Sequence, residues 1–288
     1  MTLAGQTVSR SILPPWLSAL VPSKPVPLIA LILIILVMLM ALVGPFFVKD
    51  PEIPDYMRML AGPSWDAPLG HDDLGRDVLA RIVHGSKISL LVGLLATLVS
   101  VCVAVPLGVA AGYFGGWVDQ VISRVTDVLL AFPFVLAAIL LAVTLGPSLP
   151  TVILALSSAL VPWLTRIVRG ETMVLRSLDF VQAARLDGAT TIRILRRHIL
   201  RNLVSVILVQ ATLMFPFAVM GEAILSFLGV GIRPPTPTWG AILVDGQRLL
   251  SDVPMMAIAP GICILLTTLA FNIYGDYLRD VLDPRSQP

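Results

Sequence analysis

Six long apolar runs, at about residues 26–47, 88–113, 121–145, 150–168, 203–228 and 254–275, constrain this sequence more than any other feature. A helix needs ~20 mostly apolar residues to cross the hydrocarbon core of a bilayer. Hydrocarbon offers no partner to backbone N–H and C=O groups, so each run must close its own hydrogen bonds as a helix. The expectation is an all-α membrane protein with six transmembrane helices. Composition agrees, at 57% hydrophobic and 13% charged residues, where an ordinary soluble domain is apolar over ~45–50% and charged over ~25%. The first run starts late, is long and lacks a small-x-small exit, which favours a retained span over a cleaved signal. A formal net charge of +2 gives no basis for nucleic-acid binding.

The placement of charge orients the spans. Between the fourth and fifth runs, Arg166 to Arg201 carries eight arginines, at 166, 169, 176, 185, 193, 196, 197 and 201, against Glu171, Asp179 and Asp187. Lys and Arg close to span ends resist translocation, so this loop is expected on the cytoplasmic side. Segment 49–87 has the opposite bias, with five Lys/Arg and seven Asp/Glu. Six spans with both termini cytoplasmic satisfy both biases. The expected organisation is a cytoplasmic tail over 1–25, a first span at 26–47 and an extracytoplasmic segment at 48–87. A core membrane domain follows over 88–276, with the basic loop at 166–201 and an outer loop at 229–253. A cytoplasmic tail at 277–288 completes it.

Local patterns add detail. The basic loop reads as two short helices broken at Gly188, a residue suited to a left-handed backbone. Phe180, Ala183, Ala184 and Leu186 give the first an apolar face; Thr190 or Thr191 caps a second with Ile192, Leu195 and Ile199 on one side. Asp72, Asp73, Arg76, Asp77 and Arg81 are spaced for helical ion pairs beside apolar Val78, Leu79 and Ile82, which predicts a short helix on the outer surface. His71, Asp72 and Asp73 have no further ligand, so no metal site is expected. Spans two to six each hold one proline, Pro106, Pro133, Pro162, Pro216 and Pro260, each a potential kink. Gly108 and Gly112, with Ala104, Ala110 and Ala111, offer a surface for close helix approach. Arg124 and Asp127 are expected to pair, and Cys102 and Cys263 to be buried inert thiols rather than a disulfide. Glu222 leaves two readings open: a functional acid inside a span, or a carboxylate that reaches water near the headgroups. Pro234, Pro235 and Pro237 predict an extended outer loop, and Trp239 suits the membrane interface.

Several stretches resemble one family. Gln182-Ala183-Ala184, three residues, Gly188, and later His198-Ile199-Leu200 resemble the EAA loop of bacterial ABC importer permeases. The general pattern there is Glu-Ala-Ala, three residues, Gly, nine residues, then Ile-x-Leu-Pro. Gln182, His198 and Arg201 depart from it, and the form HILRN is similar to that of the peptide and nickel branch. Pro68 to Gly93 resembles the LGxDxxGRDxxSRxxxGxRxSLxVG region of dipeptide, oligopeptide and nickel permeases, with Ala80 and Lys87 as departures. GEAILSFLGVG, PPTPTWG and FNIYGDYLRDVLDPR fall where that family shows ExALSFLGLG, PPxPxWG and FNxxGDxLRDxLDPR.

The resemblance implies a type I ABC importer permease fold, the C-type subunit of a permease pair, in the bacterial cytoplasmic (inner) membrane. It implies an ATPase-coupling loop formed by Gln182, Ala183, Ala184, Asp187, Gly188, Ala189, Arg193 and His198. It marks Glu222, Phe227, Pro235 and Trp239 as candidates for the translocation pathway or outer gate. The implied partners are a second homologous permease, two ABC ATPase subunits, an extracytoplasmic substrate-binding protein and the lipid bilayer. No Walker A pattern is present, so ATP and Mg are expected on the ATPase subunits, with no cofactor and no catalysis in this chain. Di- or oligopeptides are the implied cargo, with nickel, glutathione or another small solute as alternatives. On residue chemistry alone two other classes stay open: an ATP-independent secondary transporter, and a scaffold whose arginine loop lies on anionic lipid. The sequence shows no internal repeat of the kind such transporters carry.

Overall fold

All but one of the apolar runs fold as a single helix, and several of these helices are longer than a bilayer requires. The computed structural model describes residues 21–22 and 24–282; residues 1–20 and 23 of the expected N-terminal tail and 283–288 of the C-terminal tail lie outside this range. The first helix, α1 (Pro25–Leu42), starts on a proline, whose fixed φ suits a first helical turn. The second, α2 (Val78–Phe114), runs 37 residues, ~55 Å at ~1.5 Å per residue. Asp77 caps it by accepting from the Leu79 and Ala80 N–H groups. The expected surface helix and the second span are therefore one element. Asp72, Asp73 and Arg76 lie in the loop before it, not on a helix.

The third run does not cross as one kinked helix. It divides into α3 (Gly116–Ala131) and α4 (Phe134–Leu145), bent by 89° at Phe132 and Pro133. Phe132 takes the extended backbone (ψ 127°) favoured before proline. Helix α5 (Leu149–Ser177), capped by Ser148, continues well past the fourth run and carries Arg166, Arg169 and Arg176. The first third of the expected loop is thus helical. After α6 (Asp179–Leu186) and a turn at Gly188, α7 (Thr191–Ile194), a π-helical turn over Leu195–Ile199 and α8 (Leu200–Phe227) form one continuous rod. Thr238 caps α9 (Trp239–Arg248), a helix inside the outer loop that the prolines had suggested would be extended throughout. The chain then enters α10 (Met255–Leu282). Among the described residues, five helices are long and apolar enough to span a membrane, and the bent α3–α4 pair makes a sixth crossing if it counts as one.

The bundle is centred on α2 and α5. A Cβ added at Gly108 would lie 2.8 Å from the Thr165 carbonyl oxygen, and one at Gly112 would lie 2.6 Å from that of Arg169. The small-residue stripe of α2 is therefore in backbone contact with α5. Leu156, Leu160, Leu164 and Val168 of α5 bury beside it, joined by Leu203 and Met214 of α8. A second cluster gathers Val78, Ile82, Trp239, Ile242 and Met256 near the start of α2. The outward faces of α1 and α10 expose Ile32, Leu36, Leu265 and Leu269, as lipid contact demands. Cys102 is exposed on α2, not buried as expected, and both cysteines are free.

A charged knot fastens the loop before α2. Asp72, fully buried, accepts from the Leu74 and Arg76 N–H groups at 2.9 and 2.8 Å. Its other oxygen accepts from Arg76 Nε at 2.7 Å and Arg81 Nη1 at 2.8 Å. Arg81 also donates to Asp245 Oδ2 at 2.8 Å, tying loop and α2 to α9. Removing one member of such a buried pair leaves an uncompensated charge.

Two measurements check this packing. Gly112→Ala should lower stability by about 1–3 kcal/mol through overpacking, read as the melting temperature of the purified protein in detergent. Gly170→Ala, at an exposed helical site where a Cβ meets nothing within 4 Å, should raise it by about 0.5–1 kcal/mol. Asp72→Ala should cost about 3–5 kcal/mol, whereas Asp73→Ala, at a largely exposed side chain, should stay within about 0.5 kcal/mol of the parent.

Candidate functional site

The arginine-rich end of the bundle presents an ordered loop. Helix α6 closes in a Schellman turn, with Ala189 N–H bonding to Ala184 O at 3.0 Å and Gly188 N–H to Arg185 O at 3.1 Å. Gly188 sits at φ +79°, the left-handed region in which a glycine carries no Cβ penalty. The break expected at Gly188 is present. Val181 anchors α6 by full burial in the core cluster. Of the residues of the expected apolar face, Phe180, Ala183 and Leu186 are exposed and Ala184 is half-buried.

Tyr113, at the end of α2, is the seat for this loop. Its carbonyl accepts from Arg176 Nη1 at 2.8 Å, and Arg185 stacks over its ring at 5.7 Å. Gln182 Nε2 donates back to the Arg176 carbonyl at 3.0 Å. The rings of His198 and Phe180 lie 6.0 Å apart, joining α6 to the π-helical turn. Of the residues singled out in this loop, Gln182, Ala183, Asp187, Gly188 and Arg193 are exposed, while Ala184, Ala189 and His198 are half-buried. Two more exposed members of the loop, Leu186 at 89% and Ile192 at 69%, were assigned to apolar helix faces but not to the candidate site. The signal was an apolar residue on either side of Gly188 where neither neighbouring helix can bury it. Tyr113 carried no such signal.

At the opposite end Glu222 lies in α8 with no exposed surface. Ser89 Oγ donates to its Oε2 at 3.1 Å and Ser226 Oγ to its Oε1 at 2.8 Å. Thr238 and the Gly240 backbone also bond to it. Ser89 in turn accepts from the Trp239 N–H at 3.0 Å. Gly240 is required here, because a Cβ would meet Ala223 Cα at 2.6 Å. Of the two readings of Glu222, the one in which it reaches water fails. Its side chain is held inside the chain, where α2, α8 and α9 meet. Trp239 is likewise buried rather than interfacial, its Nε1 donating to the Ile82 carbonyl at 3.1 Å. Phe227 and Pro235 are exposed and stand outside this cluster. Nearer the basic end, Asp127 bonds Arg166 at 2.7 Å rather than Arg124, because α5 brings the guanidinium alongside. Asp119 takes two bonds from Arg169.

Comparison with known proteins agrees with this arrangement. Residues 104–287 match a family described as "Binding-protein-dependent transport system inner membrane component". The dipeptide transport system permease protein of Alkalihalophilus pseudofirmus is 39% identical over 259 residues, covering 90% of this chain and 85% of the relative. A glutathione transport system permease protein of Shigella flexneri is 46% identical over 231 residues, 80% of this chain and 76% of the relative. A solved structure of the MetNI methionine ABC transporter in an inward-facing conformation superposes with a TM-score of 0.56, over 70% of this chain and 96% of that one. At 17% identity that likeness speaks for the fold alone, which is that of a type I importer permease. This multi-pass membrane protein belongs to the family of binding-protein-dependent transport system inner membrane components.

Proposed function

We propose that this chain is the transmembrane permease subunit of an ATP-driven importer, and forms half of the route by which di- or oligopeptides cross the bacterial cytoplasmic membrane. The observation that carries the reading is the basic loop. Two apolar side chains, Leu186 and Ile192, stand exposed on either side of a Schellman turn, in a segment where Arg193, Arg196, Arg197 and Arg201 are exposed as well. An apolar centre with a charged rim is the composition of a protein-docking surface. The partner is an ATPase subunit, and the loop rests on the ends of long helices able to carry its movement. The complex contains two such subunits, which hold ATP and Mg, a second homologous permease and an extracytoplasmic binding protein. The loop and both termini face the cytoplasm, consistent with the excess of arginine there. The Glu222 and Trp239 cluster acts at the outer gate, with Phe227 and Pro235 on its rim. Peptide cargo is supported by the likeness to the dipeptide transport system permease. Glutathione, itself a short peptide, is a second reading supported by the relative at 46% identity.

Purification from the native membrane in mild detergent tests this directly. A second permease and two ATPase chains should accompany the protein. Gly188→Arg should abolish their retention and ATP-dependent uptake while membrane insertion persists, since a Cβ at that site meets open space within the chain. Gly188→Asn, which tolerates the left-handed backbone, separates backbone strain from the added bulk and should retain most uptake. A chain that purifies alone and moves solute in liposomes without ATP overturns the reading.

A further inference from the structure

The last turn of α2 is loosely held by its own chain. Gly115 and Gly116 follow Phe114 at φ +66° and +54°, the left-handed region that glycine adopts without strain. Neither has a side chain to pack, so the link into α3 does little to fix this end of α2. A helix C-terminus also leaves its last carbonyls without partners inside the helix, and it carries partial negative charge.

Two guanidinium groups from other elements converge there. Arg176, in the last turn of α5, donates from Nη1 to the Tyr113 carbonyl oxygen at 2.8 Å. Arg185, in the last turn of α6, lies over the Tyr113 ring at 5.7 Å from its centre, with Nη2 3.5 Å from the hydroxyl. A cation within about 6 Å of an aromatic face is attracted by the ring quadrupole, more strongly as water is excluded. The tyrosine is buried in the same cluster as Val181 of α6 and as Ile194 and Ile199, which lead into α8. The Phe114 ring stands edge-on to it at 5.4 Å.

We propose that Tyr113 is a positioning residue for transport: Arg185 grips its ring, so that a displacement of α6 carries the end of α2 with it. The loop is joined to α5 and α8 through the chain, but to α2 only through side chains. A loop that moved α8 alone would pull Glu222 of α8 away from Ser89 of α2 and leave a buried carboxylate short of a donor. Helix α2 is continuous from Val78 to Phe114, with Pro106 inside it. Ser89 lies ~36 Å along it from Tyr113 at ~1.5 Å per residue. A movement taken up at Tyr113 therefore reaches the junction of α2, α8 and α9 through one rod, and the grip keeps α2 in step with α8. The inference rests on the importer reading and gives a residue outside the loop a part in coupling.

The test uses the full complex in proteoliposomes, with ATP enclosed, the binding protein recovered with it outside, and radiolabelled Ala-Ala as the probe. The quantity read is dipeptide taken up per ATP hydrolysed, which a mere loss of folded protein does not move because both rates fall together. Tyr113→Leu keeps a buried apolar side chain and the carbonyl bond but removes the aromatic face. It should lower the ratio about five- to tenfold, the size of one cation–π contact. Tyr113→Phe keeps the face and should restore the ratio. Arg185→Gln should lower it by a similar factor, and the double variant should fall no further than either single one, as two residues acting through one contact require. Arg185 is exposed, so Arg185→Gln decides the outcome if Tyr113→Leu fails to fold. An unchanged ratio in Arg185→Gln overturns the proposal, and so do effects of the two substitutions that multiply independently. A parent complex that purifies without ATPase chains, or takes up Ala-Ala without ATP, overturns the importer reading instead.

Discussion

The close approach of α2 and α5 at Gly108 and Gly112 is the contact on which the bundle depends. Lipid tails are as apolar as leucine, so helices inside a membrane gain little from hiding apolar surface and associate through close packing. Two glycines bring α2 against α5 carbonyl oxygens, and that distance sets the position of everything at the ends of the two helices. At the basic end it places Tyr113 under Arg176 and Arg185, which seats α6. Towards the other end α2 carries Ser89 against Glu222 and Arg81 against Asp245.

The two ends are built on opposite principles. The end near Glu222 buries two of its acidic side chains. Asp72 and Glu222 have no exposed surface, and each is met by several donors from different segments. A buried polar network of this kind is costly to disturb because any unpaired member retains its desolvation penalty. The basic end keeps its arginines and two apolar side chains outside, with the fold supplied by Val181, Ile194 and Ile199 beneath them.

Hydropathy made the helices legible, because run length is the property the bilayer constrains. The turn at Gly188 was legible too, since glycine at the end of a helical run has a local meaning, although Thr190, at the expected cap, makes no side-chain bond to the next helix. Pro133 was not distinguishable from Pro106, Pro162, Pro216 and Pro260. The other four sit inside continuous helices, and whether a proline kinks or breaks depends on what neighbours can offer the freed backbone. Charge pairing failed for a related reason. Spacing along one helix put Arg124 with Asp127, but Arg166 arrives from α5, and tertiary neighbours carry no mark in local sequence. Trp239 looked interfacial by residue type, although its Nε1 finds the Ile82 carbonyl only once α9 folds back on α2. The Glu222 cluster was half visible: the acid stood out in an apolar run, while Ser89 and Thr238, distant in sequence, did not.

Helices α5 and α8 connect the loop to the bend between α3 and α4, and their connections limit how the molecule can move. Trp163 and Arg176 belong to α5; Phe217 and Glu222 belong to α8, whose near end follows the π-helical turn out of the loop. An intact helix in hydrocarbon cannot break its ladder without leaving backbone groups unpaired. A displaced loop must therefore carry these helices as rods. Helix α8 is bonded through Glu222 to Ser89 of α2 and to the start of α9, and parting them would strand a buried carboxylate. The motion of lower cost keeps α2, α8 and α9 together as one body. The element left to yield is the α3–α4 pair, already broken at Pro133 and lying beside a cavity lined by Leu160 and Trp163 of α5 and by Met214 and Phe217 of α8.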